Sequence, residues 1–216
     1  MADGPAQDAV WAQVEAARLR LADLLDGLSD QEWQAPSLCD GWRVRDVAAH
    51  LTLPPTLTAG GWMKELVRSG GSFHRMIRES AVRTAREPVG ELTARLRKHA
   101  GSRLVPPAPG AGADTTVMDV LTHSQDIALA LGREIEIVPD AARAGLESLW
   151  RLRFPFNPRK ELRGIRFVAS DSSWDVGEGP VVTGRSAAFL LVLTHREAGL
   201  EQVSGAGVPL LRARLG

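Results

Sequence analysis

The sequence predicts an α+β protein: a helical bundle over residues 1–135, followed by a small α/β domain over residues 136–216. Three observations predict it. Apolar side chains recur at intervals of three and four up to about residue 131, the period of helices that bury one face. Proline and glycine pairs cut that pattern into pieces joined by connectors of varied length, which suits a bundle of four main helices. Beyond Pro155-Phe156-Asn157-Pro158 the texture changes to short stretches of strand character separated by glycines.

Taken in order, Val10, Val14, Ala17, Leu21, Leu24, Leu25 and Leu28 mark an amphipathic helix from Ala6 to Leu28. Ser29 and Glu32 then have capping-box spacing for a short helical turn through Trp33. Pro36 to Gly41 breaks the period, with Asp40-Gly41 as a turn signal. A second helix follows from Trp42 to Leu53, its buried stripe made of Val44, Val47, Ala48 and Leu51, and Pro54-Pro55 ends it. Residues 57–84 read as helical but interrupted at Gly60-Gly61 and Gly70-Gly71. The period returns from Pro88 to His99 with Leu92 and Leu96 inward. Pro106 to Gly112 is a connector, and a strong helix runs from about Thr115 to Leu131, stopped by Gly132. Pro139 to Leu152 is a further helix. Ile165–Ala169, Trp174–Val176 and Val181–Thr183 read as strands, and Arg185 to His195 returns to helix.

Composition narrows the function. The 216 residues carry 26 basic and 26 acidic side chains, so no basic excess exists to neutralise a run of phosphates, and nucleic acid is disfavoured as a partner. Cys39 is the only cysteine, which excludes an internal disulfide and a cysteine metal cluster. Met1 to Asp8 lacks a basic region followed by an apolar core, and no stretch approaches eighteen unbroken apolar residues, so neither a secretory leader nor a membrane partner is expected. The expected compartment is the cytoplasm, as monomer or homodimer.

Chemistry concentrates on the helix from Thr115 to Leu131. Asp119, His123 and Asp126 fall at i, i+4 and i+7 on one face, apart from the stripe of Val120, Leu121, Ile127, Ala128 and Leu131. An Asp and a His one turn apart can ligate one ion, and Asp126 is spaced to orient an imidazole or a bound solute. The same spacing also occurs on solvated helix faces. His50 lies beside the buried stripe of its own helix, and a lone histidine so placed is more often a core or boundary residue than a ligand. Across a bundle, His50, Asp119 and His123 would make a two-histidine, one-carboxylate site with open positions.

The run Leu38-Cys39-Asp40-Gly41-Trp42-Arg43-Val44-Arg45-Asp46-Val47-Ala48-Ala49-His50-Leu51 resembles the signature of the mycothiol-dependent maleylpyruvate isomerase family, part of the wider DinB-like metal-binding bundles. Asp119 to Asp126, with Leu131-Gly132, resembles that family's second metal helix. Gly164-Ile165-Arg166-Phe167 through Trp174, then Gly179-Pro180 and Val182-Thr183-Gly184, resembles its small C-terminal domain. The resemblance implies a DinB-like four-helix bundle with a divalent metal, zinc above others, held by His50, Asp119 and His123. It implies Asp126 close to the ion, and Arg196 reaching in from the second domain to bind a carboxylate of substrate or thiol. Two positions depart from the pattern: the carboxylate is Asp119 where Glu is usual, and His195-Arg196 stands where Gly-Arg is usual.

The function so implied is a metal-dependent enzyme using mycothiol on a small-molecule substrate, as isomerase or S-transferase. The alternatives are a non-catalytic metal-binding protein and a metal-dependent hydrolase. Cys39 reads as a packing residue beside Trp42. His74, His99 and His195 read as solvated, as does the arginine-rich face from Arg75 to Arg86. Trp11, Trp33, Trp62 and Trp150 read as core or domain contacts. The glycines around Gly177 lack the spacing of a phosphate loop.

Overall fold

The computed structural model describes residues 4–108 and 110–215. Met1 to Asp3, within the segment read above as lacking a leader, Pro109 of the connector and Gly216 lie outside them. The bundle contains α1 (Pro5–Asp26), α2 (Asp30–Gln34), α3 (Val44–Thr52), α4 (Ala59–Arg68), α5 (Phe73–Thr84), α6 (Val89–Lys98) and α7 (Ala113–Ala128). Helix α1 packs on α6 and α7, and α3 packs on the same two, closing a four-helix arrangement. Helices α4 and α5 form an appendage that leans on α3 through α5.

Local chemistry explains the boundaries. Pro5 opens α1 at a position that needs no N–H donor, and Trp11, Val14, Ala17, Leu21 and Leu25 form its buried stripe. The capping box at α2 is present: Ser29 N–H donates to Glu32 Oε2 at 2.8 Å and Glu32 N–H to Ser29 Oγ at 3.4 Å. At α3 the carboxylate of Asp46 reaches back to accept from Arg43 N–H at 2.9 Å, so this signature residue serves as the helix's N-terminal acceptor. Helix α7 runs into a 3₁₀ turn over Leu129–Leu131 and stops at Gly132, whose φ of 63° is the left-handed conformation of a C-terminal cap.

The interrupted helix expected over 57–84 is two separate helices. Gly70 and Gly71, both in the left-handed region, make the break. Gly60 and Gly61 instead lie in the first turn of α4, where Thr58 Oγ1 accepts from Gly61 N–H.

The second part contains α8 (Pro139–Arg151), α9 (Pro158–Glu161), β1 (Arg166–Ala169), β2 (Asp175–Gly177), β3 (Val181–Gly184), α10 (Ser186–Leu193), β4 (Val203–Ser204) and α11 (Val208–Leu215). The sheet order is β2-β1-β3-β4, with β1 and β3 parallel and both outer pairings antiparallel. Three elements, the one-turn helix α9, β4 and α11, have no counterpart in the sequence reading. A two-residue strand shows no period, and α11 buries only Leu211. Helix α10 rests on α8 and α7, while α8 lies along α7 and α1. One hydrophobic core therefore runs from Trp11 to Leu211, crossing residue 135. No helix among the described residues is long and apolar enough to cross a membrane.

Candidate metal centre

The site forms where α3, α7 and the end of α10 meet. The signature loop is fastened to the metal helix by its backbone: Leu38 N–H donates to the carbonyl of Asp126 at 3.0 Å, and Trp42 N–H closes a turn on Cys39 O at 3.0 Å. Gly41 has φ of 71°, which lets the chain turn and bury Trp42. The Trp42 ring then stands 5.3 Å from that of His50 and 6.1 Å from that of His123, walling both imidazoles.

His50, Asp119 and His123 are brought together. The Nε2 atoms of His50 and His123 lie 3.5 and 3.6 Å from the same oxygen, Asp119 Oδ1. Ligands at about 2.0–2.2 Å from a tetrahedral ion stand roughly 3.3–3.6 Å from one another. The donor spacing therefore fits a divalent ion as it is, with the shorter Asp119 in place of Glu. The face is not solvated: His50 is 5% exposed and the His123 side chain 12%, while Asp119 keeps 30% of its side chain open to the pocket. Burial pushes the Asp119 carboxyl up, but the charge and hydrogen bond of His50, then His123 and Arg18, hold it down at about 2.

Behind the ligands stands a second layer. Asp126 is completely buried and accepts from His123 Nδ1 at 2.8 Å. An ionised carboxylate there requires the proton on Nδ1, which leaves the Nε2 lone pair facing Asp119 and His50. Arg196 donates to both oxygens of Asp126, from Nε at 3.0 Å and Nη2 at 2.7 Å, and its Nη1 donates to Thr194 O at 2.7 Å. Its bidentate face is thus occupied by Asp126, and the carboxylate it grips belongs to the protein. Burial pushes the Asp126 carboxyl up, and the hydrogen bonds from His123 and Arg196 outweigh that, leaving it below its ordinary value. His50 lacks such a brace. Its Nδ1 is buried with no hydrogen-bond partner among the described residues, so packing against Trp42 sets its orientation.

Arg196 is aimed by an unusual turn. Its predecessor His195 has φ of 65°, the one non-glycine residue in the left-handed region among the described residues. Arg196 N–H bonds Leu191 O at 2.8 Å, which completes the end of α10.

Cys39, His123 and Asp126 also approach one another, but they are poor metal ligands as a set. Asp126 is already committed, and burial pushes the Cys39 thiol up to about 11, far from thiolate. Of the other histidines, His74 packs edge-to-face against Phe73 and Phe154 at the pocket rim, and exposed His195 meets Glu161 Oε2 at 3.0 Å. Trp11, Trp33 and Trp62 are buried, and Trp150 is half-buried against Phe167 and Trp174.

One residue escaped the sequence reading. Arg18, 1% exposed in the middle of the α1 stripe, donates from Nη1 to Ala100 O at 2.9 Å and Ser102 O at 2.7 Å. Burial lowers its pKa to about 10, and the nearby Asp119 opposes that. The available signal was a basic side chain one position after Ala17, between Val14 and Leu21, inside an otherwise apolar face.

Residues 14–105 match the family model described as the mycothiol maleylpyruvate isomerase N-terminal domain. By this match the first part of the chain, 92 of its 216 residues, carries that N-terminal domain. The matched segment contains His50 and the whole 38–51 signature, while Asp119, His123, Asp126 and Arg196 lie beyond it. Two solved structures share the fold. A mycothiol-dependent maleylpyruvate isomerase superposes with a TM-score of 0.55 at 15% identity, covering 93% of this chain and 92% of its own. A histidine-to-alanine mutant of an enzyme of that name superposes at 0.57 and 13% identity, with the same coverage. No curated protein matches. The bundle followed by a small α/β domain is thus a fold this chain shares with both structures.

Proposed function

We propose that this chain is a metal- and mycothiol-dependent enzyme that works as an isomerase or S-transferase on a small molecule. The observation that carries the reading is the pair of 3.5 and 3.6 Å approaches of two Nε2 atoms to one oxygen of Asp119, backed by the buried Asp126–Arg196 pair. His50, Asp119 and His123 would hold the ion. A divalent ion bound there, zinc by family resemblance, supplies Lewis acidity that lowers the pKa of a thiol.

The protein's own groups have separable tasks. Asp126 keeps the His123 proton on Nδ1, so the other nitrogen stays available as a ligand. Arg196 neutralises Asp126 in a setting where an unpaired carboxylate would itself become protonated. Trp42 excludes water from one side of the imidazoles. The open side of Asp119 faces a cavity of about 580 Å³, large enough for a thiol and an acceptor together. A thiol that adds to a double bond and leaves again makes an isomerase, and one that stays on the acceptor makes a transferase.

The test is an assay of zinc-loaded protein with maleylpyruvate and a panel of electrophiles, with and without mycothiol. Conversion that needs both metal and thiol supports the reading. Thiol-independent cleavage of ester or amide substrates would replace it with a hydrolase. Failure to convert any acceptor despite metal and thiol binding would favour a non-catalytic binder.

A further inference from the structure

The geometry points to the kind of acceptor this pocket takes: a carboxylate with an apolar or aromatic body, its charged end held by Arg78. This rests on the thiol-dependent reading above and concerns the second substrate.

The cavity that opens on Asp119 is lined, besides the ligands, by Trp42, Phe73, Ile77, Met118, Leu152 and Phe156. Such a wall favours apolar surface in proportion to the area it removes from water. Two arginines line the same cavity, and they are not equivalent. Arg196 has its guanidinium committed to Asp126 and Thr194 O. Arg78, exposed on α5, has no ion-pair or hydrogen-bond partner among the described residues. Its guanidinium lies over Gly41, where a Cβ would sit 3.2 Å from Nη2, so the glycine of the signature turn gives it room. Arg75 and Arg86 lie in the adjoining groove with Glu79 and add positive potential on that side, while Arg83 there is paired with Glu65.

The carboxylates at the cavity are Asp40, which makes no ion pair with Arg78, and Asp119. The unpaired guanidinium of Arg78 beside an apolar wall suits the carboxylate of an otherwise apolar acceptor. A small dicarboxylate leaves that wall uncovered and gains nothing from it.

The experiment uses intact zinc-loaded protein and three probes in calorimetric titration: trans-cinnamate as aromatic monoanion, cinnamamide as its neutral analogue, and maleate as small dianion. Cinnamate is expected to bind at least tenfold tighter than maleate. Arg78→Met is expected to cost cinnamate about tenfold while leaving cinnamamide unchanged, because a charged hydrogen bond is lost and the apolar contacts are kept. Phe73→Ala should weaken cinnamate and cinnamamide alike. The inference is overturned if maleate binds as tightly as cinnamate, or if Arg78→Met leaves cinnamate affinity intact, as it would were the carboxylate seated on the ion. Titrating mycothiol into the same samples keeps the two claims apart. Metal-dependent thiol binding with a preference for maleate removes only the acceptor class, and cinnamate selectivity without thiol binding removes only the thiol reading.

Discussion

Arg196 and Asp126, 70 positions apart in sequence, form a bidentate ion pair at 3.0 and 2.7 Å, with the carboxylate wholly buried and the guanidinium side chain 12% exposed. It joins the end of α10 to the metal helix and orients His123 through the same carboxylate. Removing one partner strands the other's charge. Arg196→Met should therefore destabilise the protein by about 3–5 kcal/mol in urea unfolding, and Asp126→Asn/Arg196→Met should cost less than the sum of the single changes. Strict additivity would show that the two side chains do not act as a pair.

The turn that delivers Arg196 carries its own expectation. His195 holds a left-handed conformation that costs a side-chain-bearing residue about 1–2 kcal/mol, and its contact with Glu161 is exposed. His195→Gly should raise stability by about 0.5–1 kcal/mol once glycine's greater unfolded freedom is subtracted. Metal content should stay unchanged. A fall in melting temperature would mean that the imidazole contributes more than its backbone conformation costs.

Asp119 is a ligand by position and only partly enclosed, so the fold does not depend on it. Asp119→Leu should lose tightly bound zinc by elemental analysis while retaining wild-type circular dichroism, and Asp119→Glu should retain both. Zinc content unaffected by Leu would make Asp119 a bystander.

A pH effect is expected at the other end of α10. Asp171 accepts from Ser186 N–H at 2.8 Å and Ser186 Oγ at 2.7 Å, at the first turn of that helix. Burial pushes its carboxyl up, but these bonds and Arg185 outweigh it, so its folded value lies below the ordinary 3.8. The ionised form is thus favoured by folding, and the stabilisation is present above 3.8 and lost as pH falls through the lower folded value. The melting-temperature gap between wild type and Asp171→Ala should be widest at neutral pH and narrow in acid. A gap that is constant from pH 7 to pH 2 would contradict this.

Much of this was legible in the sequence because it is local. The α1 stripe, the Ser29–Glu32 box, the stop at Gly132 and the i, i+4, i+7 placement of Asp119, His123 and Asp126 all depend on neighbours a turn or two away. The convergence of His50 with Asp119 came from a pattern spanning one loop and one helix. What stayed hidden depends on distant partners. Nothing beside Arg196 announces that its donors are spent on Asp126, and nothing beside Arg18 announces that the carbonyls of Ala100 and Ser102 await it inside the bundle. The break at Gly70-Gly71 was visible as a signal, yet the folding-back of α5 onto α3 is a tertiary outcome.

The central claim is that a thiol is activated at the ion held by His50, Asp119 and His123, and calorimetry of mycothiol binding tests it most directly. Titrations into zinc-loaded and metal-stripped protein would be run in two buffers of different ionisation enthalpy. Binding is expected with the metal only, with an apparent enthalpy that changes between buffers because the thiol gives up its proton on binding. Equal affinity with and without the metal, or metal-dependent binding that releases no proton, would contradict it.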